Sequence, residues 1–356
     1  MKKTITFDDV LIEPKFSSLN SRKDVDVSTI VSSEYNLSLN LPIVAANMDT
    51  VCGELMAATL ISLGATGCLH RFWSIEDNVK ALTNVIQKTE HGVSPWVSVG
   101  ISDSEKERAL ALIEAGAKVV TIDVAHAAQM QVVNFYRWLK QKHPEICLVV
   151  GNFGTGQSIK DFCYHLGFKI DVVKVGIGPG SACTTRIKTG CGVPQLSAIM
   201  DCVTTDIPII ADGGMRTPGD ISKALAAGAR MVMLGGMLAG TDETPGEVIT
   251  RLTLESTEEV PGDVKHLLTE RKKIYRGSAS KESYEDQGKN WSCAEGETFS
   301  VPYRGSVVDI IKDIEGGLRS AFTYVGAKNL KDFQSKAEFV KVSPSVVIEN
   351  GAHGSK

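Results

Sequence analysis

The chain has 356 residues, 43% of them hydrophobic and 22% charged, with a formal net charge of −4. That balance is ordinary for a folded protein with a large apolar core, and it leaves no basic footprint for nucleic acid or an anionic membrane surface. No stretch approaches the ~18 uninterrupted apolar residues that a membrane-spanning helix needs.

Residues 1–40 read as a polar lead-in packed across the domain that follows. The opening MKKTITFDDV has no apolar run behind its lysines, which argues against a secretory signal. Short apolar, β-rich runs then recur at 42–46, 66–69, 96–99, 119–124, 147–151, 172–175, 207–211 and 231–234. Most neighbours are far enough apart for a helix between them. One helix opens at Ser102-Asp103-Ser104 with acidic residues in its first turn and stops at Gly116. Another opens at Pro218-Gly219-Asp220 and closes at Gly228. A weak repeat of helix, glycine and strand appears at Leu63-Gly64-Ala65, Ala115-Gly116-Ala117, Leu166-Gly167-Phe168 and Ala227-Gly228-Ala229.

Apolar strands alternating with amphipathic helices predict a parallel sheet covered by helices. The placement of polar residues decides between an open sheet and a closed one. Directly after successive strands stand Asn47 and Asp49, His70 and Arg71, Asp123, Asn152, the loop around Cys183, Asp212, and Gly235-Gly236. A closed barrel brings strand C-termini to one face, whereas an open sheet spreads them along an edge. The predicted fold is therefore an α/β (β/α)8 TIM barrel, a single domain over 1–356. Residues 240–305 form an insertion after the eighth strand. Within it, 277–296 lacks a sustained helical or strand period; it reads as a mobile flap or, equally, as a surface excursion.

Eight cysteines, at 52, 68, 147, 163, 183, 191, 202 and 293, form no CxxC pair, and the seven histidines show no HxxxH spacing. Neither a zinc site nor a disulfide framework is expected, and free thiols suit a reducing, cytoplasmic compartment. Cys183 stands apart from the others. It ends the run VKVGIGPGSACTTR, where a buried strand gives way to glycines at 176, 178 and 180 and then to hydroxyls at Ser181, Thr184 and Thr185. Free glycine N–H groups suit an anionic phosphate, and a loop cysteine among donors suits a nucleophilic thiolate.

This loop resembles the cysteine-loop signature of the IMP dehydrogenase and GMP reductase family. The likeness continues in FDDVLIEP, AANMDTV, PIIADGG, MVMLGGMLAG and GGLRSAFTYVGA, and is poorest over 249–270. Dehydrogenases of the family usually carry cystathionine-β-synthase-type modules after the second strand, but here only 72–94 separates Arg71 from the next strand region. They also resemble one another in using an Arg-Tyr pair on the flap to activate water, and 277–296 contains no arginine. The chain therefore looks like the GMP reductase branch.

That resemblance implies NADPH-dependent reductive deamination of GMP to IMP and ammonia. Cys183 is implied as the nucleophile, with Thr185 and Glu295 supplying a proton to the leaving amine. Ser181, Gly214, Gly235, Gly236 and Tyr275 are implied at the nucleotide phosphate, and Asp212 and Gly213 at the ribose. The base edge falls to Gly277, Ser278, Ala279, Ser292, Cys293, Ala294 and Gly296. Asp123, Val124 and Ala125 are implied near the nicotinamide, with Arg71, Ser21, Arg22, Ser320, Ala321, Phe322 and Thr323 near the rest of NADPH. A potassium ion is implied at Gly178, Gly180, Cys183 and Arg186, and the assembly as a homotetramer. Ser292, Ala127-Ala128 and Ser278 depart from the reductase pattern of arginine, a glycine-containing turn and methionine. A module-free IMP dehydrogenase, a flavin-dependent phosphate-binding barrel and a non-catalytic nucleotide sensor stay open as alternatives.

Overall fold

The computed structural model describes residues 3–255, 266–288, 293–343 and 345–349. Eight parallel strands close into a barrel in sequence order. They are Ile43–Ala45, Thr66–Leu69, Trp96–Val99, Val119–Asp123, Cys147–Phe153, Val172–Val175, Ile209–Asp212 and Met231–Leu234. Two boundaries differ from the sequence expectation by two residues, the others by no more than one, and each of the two has a local cause. The fifth strand runs on to Phe153 through a register shift between Gly151 and Phe153. The seventh starts two residues late, because Asp206 sits at φ 56° and Pro208 has no N–H to donate, although its carbonyl accepts from Val173 N at 3.0 Å.

The helices begin and end where their signals lie. Asp103–Glu114 and Pro218–Ala226 are helical, and Thr217 caps the second by accepting from Asp220 N. Each glycine of the weak repeat takes a left-handed φ, between 81° and 108°, to turn the chain from helix to strand.

Alternation within the strands sorts side chains between two apolar layers. In the sixth strand Val173 and Val175 pack outward beneath the helices, while Val172 joins the cluster inside the barrel. Lys174 therefore points inward, one level above Val172. The interior cluster is closed from below by the lead-in, whose hairpin of Thr29–Ser32 and Leu37–Leu39 contributes Val31, Tyr35, Leu37 and Leu39. Thr29 Oγ1 donates to the carbonyl of Arg230, at the entrance to the eighth strand. The lead-in thus plugs the N-terminal mouth and leaves the C-terminal mouth open.

Over that open mouth lies the insertion. Ile249–Glu255, His266–Arg276 and Thr298–Pro302 form a three-stranded antiparallel sheet. Within 277–296, where the sequence shows no sustained period, Lys281–Asp286 is a helix, capped by Ser280 Oγ accepting from Ser283 N at 3.2 Å. Six residues are too few to display a helical period in sequence. Among the described residues, no helix is long and apolar enough to cross a membrane.

The tightest backbone approach joins the Cys183 loop to the seventh strand. A Cβ at Gly176 would lie 2.1 Å from the Asp212 carbonyl oxygen. Backbone on both sides leaves nothing flexible to give way. Gly176→Ala is expected to destabilise the fold by about 3 kcal/mol, read as a lowered midpoint in chemical denaturation.

Candidate active site

Local backbone geometry delivers Cys183 to the mouth. The turn after the sixth strand is closed by Cys183 N donating to Gly180 O at 3.0 Å. The insertion then clamps this loop: Thr184 N donates to Glu295 O, Glu297 N to Ala182 O, and Cys183 bridges Gly296. Glu295 N donates in turn to Ala279 O. Pairing of this kind fixes Glu295 against the cysteine loop although the two are far apart in sequence.

The side chains form a continuous chain. The Cys183 thiol donates to Thr185 Oγ1 at 3.2 Å, and the Thr185 hydroxyl donates to Glu295 Oε2 at 2.6 Å. The second distance is that of a short, charge-assisted hydrogen bond. A proton can travel from sulfur to carboxylate and back without large motion. The three residues line one cavity of about 330 Å³.

That cavity collects most of the predicted ligand residues. Gly277, Ser278, Ala279, Cys293 and Gly296 line one wall, and Arg71, Asp123, Val124 and Ala125 another. An adjoining cavity of about 400 Å³ is lined by Ser181, Gly213, Gly214, Gly235 and Gly236. Asp212 and Tyr275 border both spaces. Burial raises the Tyr275 hydroxyl's pKa and keeps it neutral, and it accepts from Ser181 Oγ at 3.4 Å. Arg216 and Arg304, missed in the sequence, line the second cavity as well. Arg304 donates to the carbonyls of Gly236 and Met237, which aligns a cation with the glycine turn.

Beneath the cysteine, Lys174 is buried at 3% exposure. Its ammonium contacts Asp123 Oδ1 at 3.0 Å, Asp212 Oδ2 at 2.8 Å and Asn152 Oδ1. Asn152 Nδ2 adds a bond to Asp212 Oδ2 at 2.8 Å. Burial alone would raise the Asp123 pKa, but the charges of Lys174 and Arg71, with hydrogen bonds from Lys174 and Asn47, hold it below the usual range. Burial would likewise lower Lys174, and its two carboxylates reverse that. His70 is the opposite case: burial, then Arg108 and Arg276, push it down to about 3. It stays a neutral ring, accepting from Phe72 N.

The sequence model of the IMP dehydrogenase / GMP reductase domain matches residues 4–353. The chain belongs to the IMP dehydrogenase/GMP reductase family. It is 36% identical to a GMP reductase of Yersinia enterocolitica, over 98% of this chain and 97% of the relative. It is 37% identical to human GMP reductase 1, over 95% of each. An inosine-5'-monophosphate dehydrogenase of Nitrosopumilus maritimus is 31% identical, over 99% of this chain and 98% of the relative. Among solved structures, a cysteine-to-alanine variant of the GMP reductase of Trypanosoma brucei, in complex with guanosine 5'-monophosphate, superposes with a TM-score of 0.83. That match has 28% sequence identity and covers 100% of this chain and 99% of that one.

Some positions implied by the family resemblance lie away from these cavities. Ser21 caps the short turn Arg22–Asp24. This turn packs against the helix Val307–Val325, which carries Ser320, Ala321, Phe322 and Thr323. Past the end of that helix, Gln334 bonds to the carbonyls of Leu225 and Ala229, just before the eighth strand. This group thus lies towards the plugged mouth, and none of its members lines either cavity. The Phe322 side chain is wholly buried and stacks on Phe333 at 4.1 Å, so its backbone is the part left for a ligand. Ala294 lies between Cys293 and Glu295 without lining either cavity. Ser292 falls outside the described residues. Arg186 lines neither cavity and donates to the carbonyls of Ile177 and Val193.

Conversely, several members of the site carried no motif. Tyr284 and Gln287 line the cavity from the short helix Lys281–Asp286 and its C-cap. Arg276 ends its strand by pairing with Asp49 at 2.9 Å through Nε, while its N–H donates to Thr50 Oγ1. The insertion is thereby pinned to the loop after the first strand.

Proposed function

We propose that the chain is a GMP reductase, converting GMP and NADPH to IMP, ammonia and NADP. The observation that carries this is the Cys183–Thr185–Glu295 chain, in which a thiol, a hydroxyl and a carboxylate are bonded in that order. As sulfur bonds to purine carbon 2, its proton passes through Thr185 to Glu295. The same route returns a proton to the 2-amino group, so the carbon–nitrogen bond breaks and ammonia leaves. The nicotinamide, when bound, would supply a hydride to that carbon; the carbon–sulfur bond then breaks, and the departing thiolate takes a proton from solvent to restore the Cys183 thiol.

The dehydrogenase alternative needs an activated water after the thiol adduct forms. No arginine stands in 277–296 to act as its base, while a carboxylate relay suited to ammonia departure is in place.

The nucleotide phosphate fits the second cavity, against Ser181, Gly214, Gly235 and Gly236, with Arg304 adding charge. Asp212 Oδ2 is occupied by Lys174 and Asn152, which leaves Oδ1 for the ribose hydroxyls. For the nicotinamide cofactor, the fit rests on Arg71: its Nε is buried without a partner beside Asp123, on the wall facing Cys183. Asp123, Val124 and Ala125 would orient the nicotinamide. Ser21, Arg22 and 320–323 reach a cofactor only across a contact between copies, as in the proposed homotetramer. The carbonyls of Gly178, Gly180 and Cys183 are neutral oxygens with no carboxylate among them. Such a set suits a weakly held monovalent ion such as potassium, and no step passes through it. A cytoplasmic location is part of the same proposal.

The test is direct. Enzyme with GMP and NADPH should lose nicotinamide absorbance and release one ammonia per cofactor oxidised. Oxidation of IMP by NAD to XMP, without reaction of GMP, overturns the assignment.

A further inference from the structure

We infer that Lys174 is a positioning residue that couples the two ligand sites, by holding the Asp123 and Asp212 carboxylates on one shared ammonium. This rests on the ligand placements proposed above, with Asp212 at the substrate ribose and Asp123 at the nicotinamide cofactor.

Geometry carries the inference. An ammonium has three protons, and Lys174 directs them to Asp123 Oδ1, Asp212 Oδ2 and Asn152 Oδ1. No donor capacity remains, and at 3% exposure no solvent replaces a lost partner. Each carboxylate is gripped through one oxygen. Two acidic side chains that would otherwise repel across the barrel mouth are thus fixed in place. Asn152 ties the pair further by donating to both Asp212 Oδ2 and the Gly176 carbonyl. Whatever a ligand hydroxyl draws from one carboxylate alters how firmly the ammonium holds the other. The substrate and cofactor pockets therefore communicate through a single Nζ, with no movement of the barrel required.

The charged and titratable groups around this unit are few. Arg71 and Asn47 act on Asp123, Cys68 lies below on the second strand, and Tyr275 faces Asp212 from the insertion. Without Lys174, Arg71 remains as a cation near Asp123, and nothing replaces the charge beside Asp212. Asp123, no longer held down by the ammonium, then takes up a proton more readily, and Asp212 loses the donor that fixes it.

The test is calorimetric binding of GMP and of NADPH to the intact enzyme, each in the absence of the other so that no turnover occurs. In the unaltered enzyme the GMP affinity is expected to change between pH 8 and 6 only as the nucleotide phosphate, whose second pKa is about 6, takes up a proton. Lys174→Met should weaken both ligands about tenfold and make GMP binding fall more steeply than in the unaltered enzyme as pH drops from 8 to 6. Asp123→Asn, measured with no cofactor present, should weaken GMP about fivefold, and should add nothing in the Lys174→Met background. It decides the matter alone if Lys174→Met fails to fold. Unchanged GMP affinity in Asp123→Asn, or additive effects of the two substitutions, overturns the coupling role. An unaltered enzyme that binds neither ligand overturns the proposed function instead.

Discussion

Replacing Cys183 with alanine should cut turnover at least about 10⁴-fold, while GMP affinity stays within about threefold. The asymmetry follows from where binding and bond-making reside. In the proposed placement, phosphate and ribose are held by the glycine turns, Arg304 and Asp212, which line a space adjoining the thiol. The sulfur touches the base only to bond with it. Removing it takes away a covalent path and leaves the ground-state contacts in place. Steady-state kinetics with GMP and NADPH, beside direct titration of GMP, separate the two. A loss confined to affinity would mean that Cys183 recognises the base and does not attack it.

Glu295→Gln should lower kcat by about 10² to 10³, within the range for general acid–base catalysis. Glutamine keeps an oxygen that can accept from Thr185, so the 2.6 Å contact survives in altered form. What it lacks is a site that can take up the thiol's proton and return it. Thr185→Val should cost about as much by breaking the chain at its middle link. The double substitution should lose little more than either single one, because both remove one proton path. Multiplying losses would place the two residues on separate paths. KM for GMP should move little in all three variants.

The barrel was legible because each of its signals is local. Apolar runs such as 172–175 and 231–234, helix-opening residues such as Thr217 and Pro218, and glycines such as Gly116 and Gly228 each act within a few positions. Polar residues after the strands were legible for the same reason, since barrel closure then brings them together. Lys174 was not. It reads as one more residue in an apolar strand, and only the alternation of inward and outward faces turns it towards two carboxylates on other strands. Arg276, Tyr284 and Gln287 were hidden by length: a six-residue helix and a strand end carry no period to read. Pairing between Thr184 and Glu295, far apart in sequence, is a tertiary contact that no spacing rule predicts. Phe322 shows how little a matching stretch says about side-chain direction. It lies in a stretch that matches the family, but its helix turns that side chain into the core.

The most direct measurement is intact-protein and peptide mass spectrometry of the enzyme quenched after mixing with GMP, first without NADPH and then during turnover with it. An adduct on Cys183 with the mass of GMP less ammonia, discharged to IMP when NADPH is added, is the predicted result. Steady turnover with Cys183 unmodified at every quench time would contradict it.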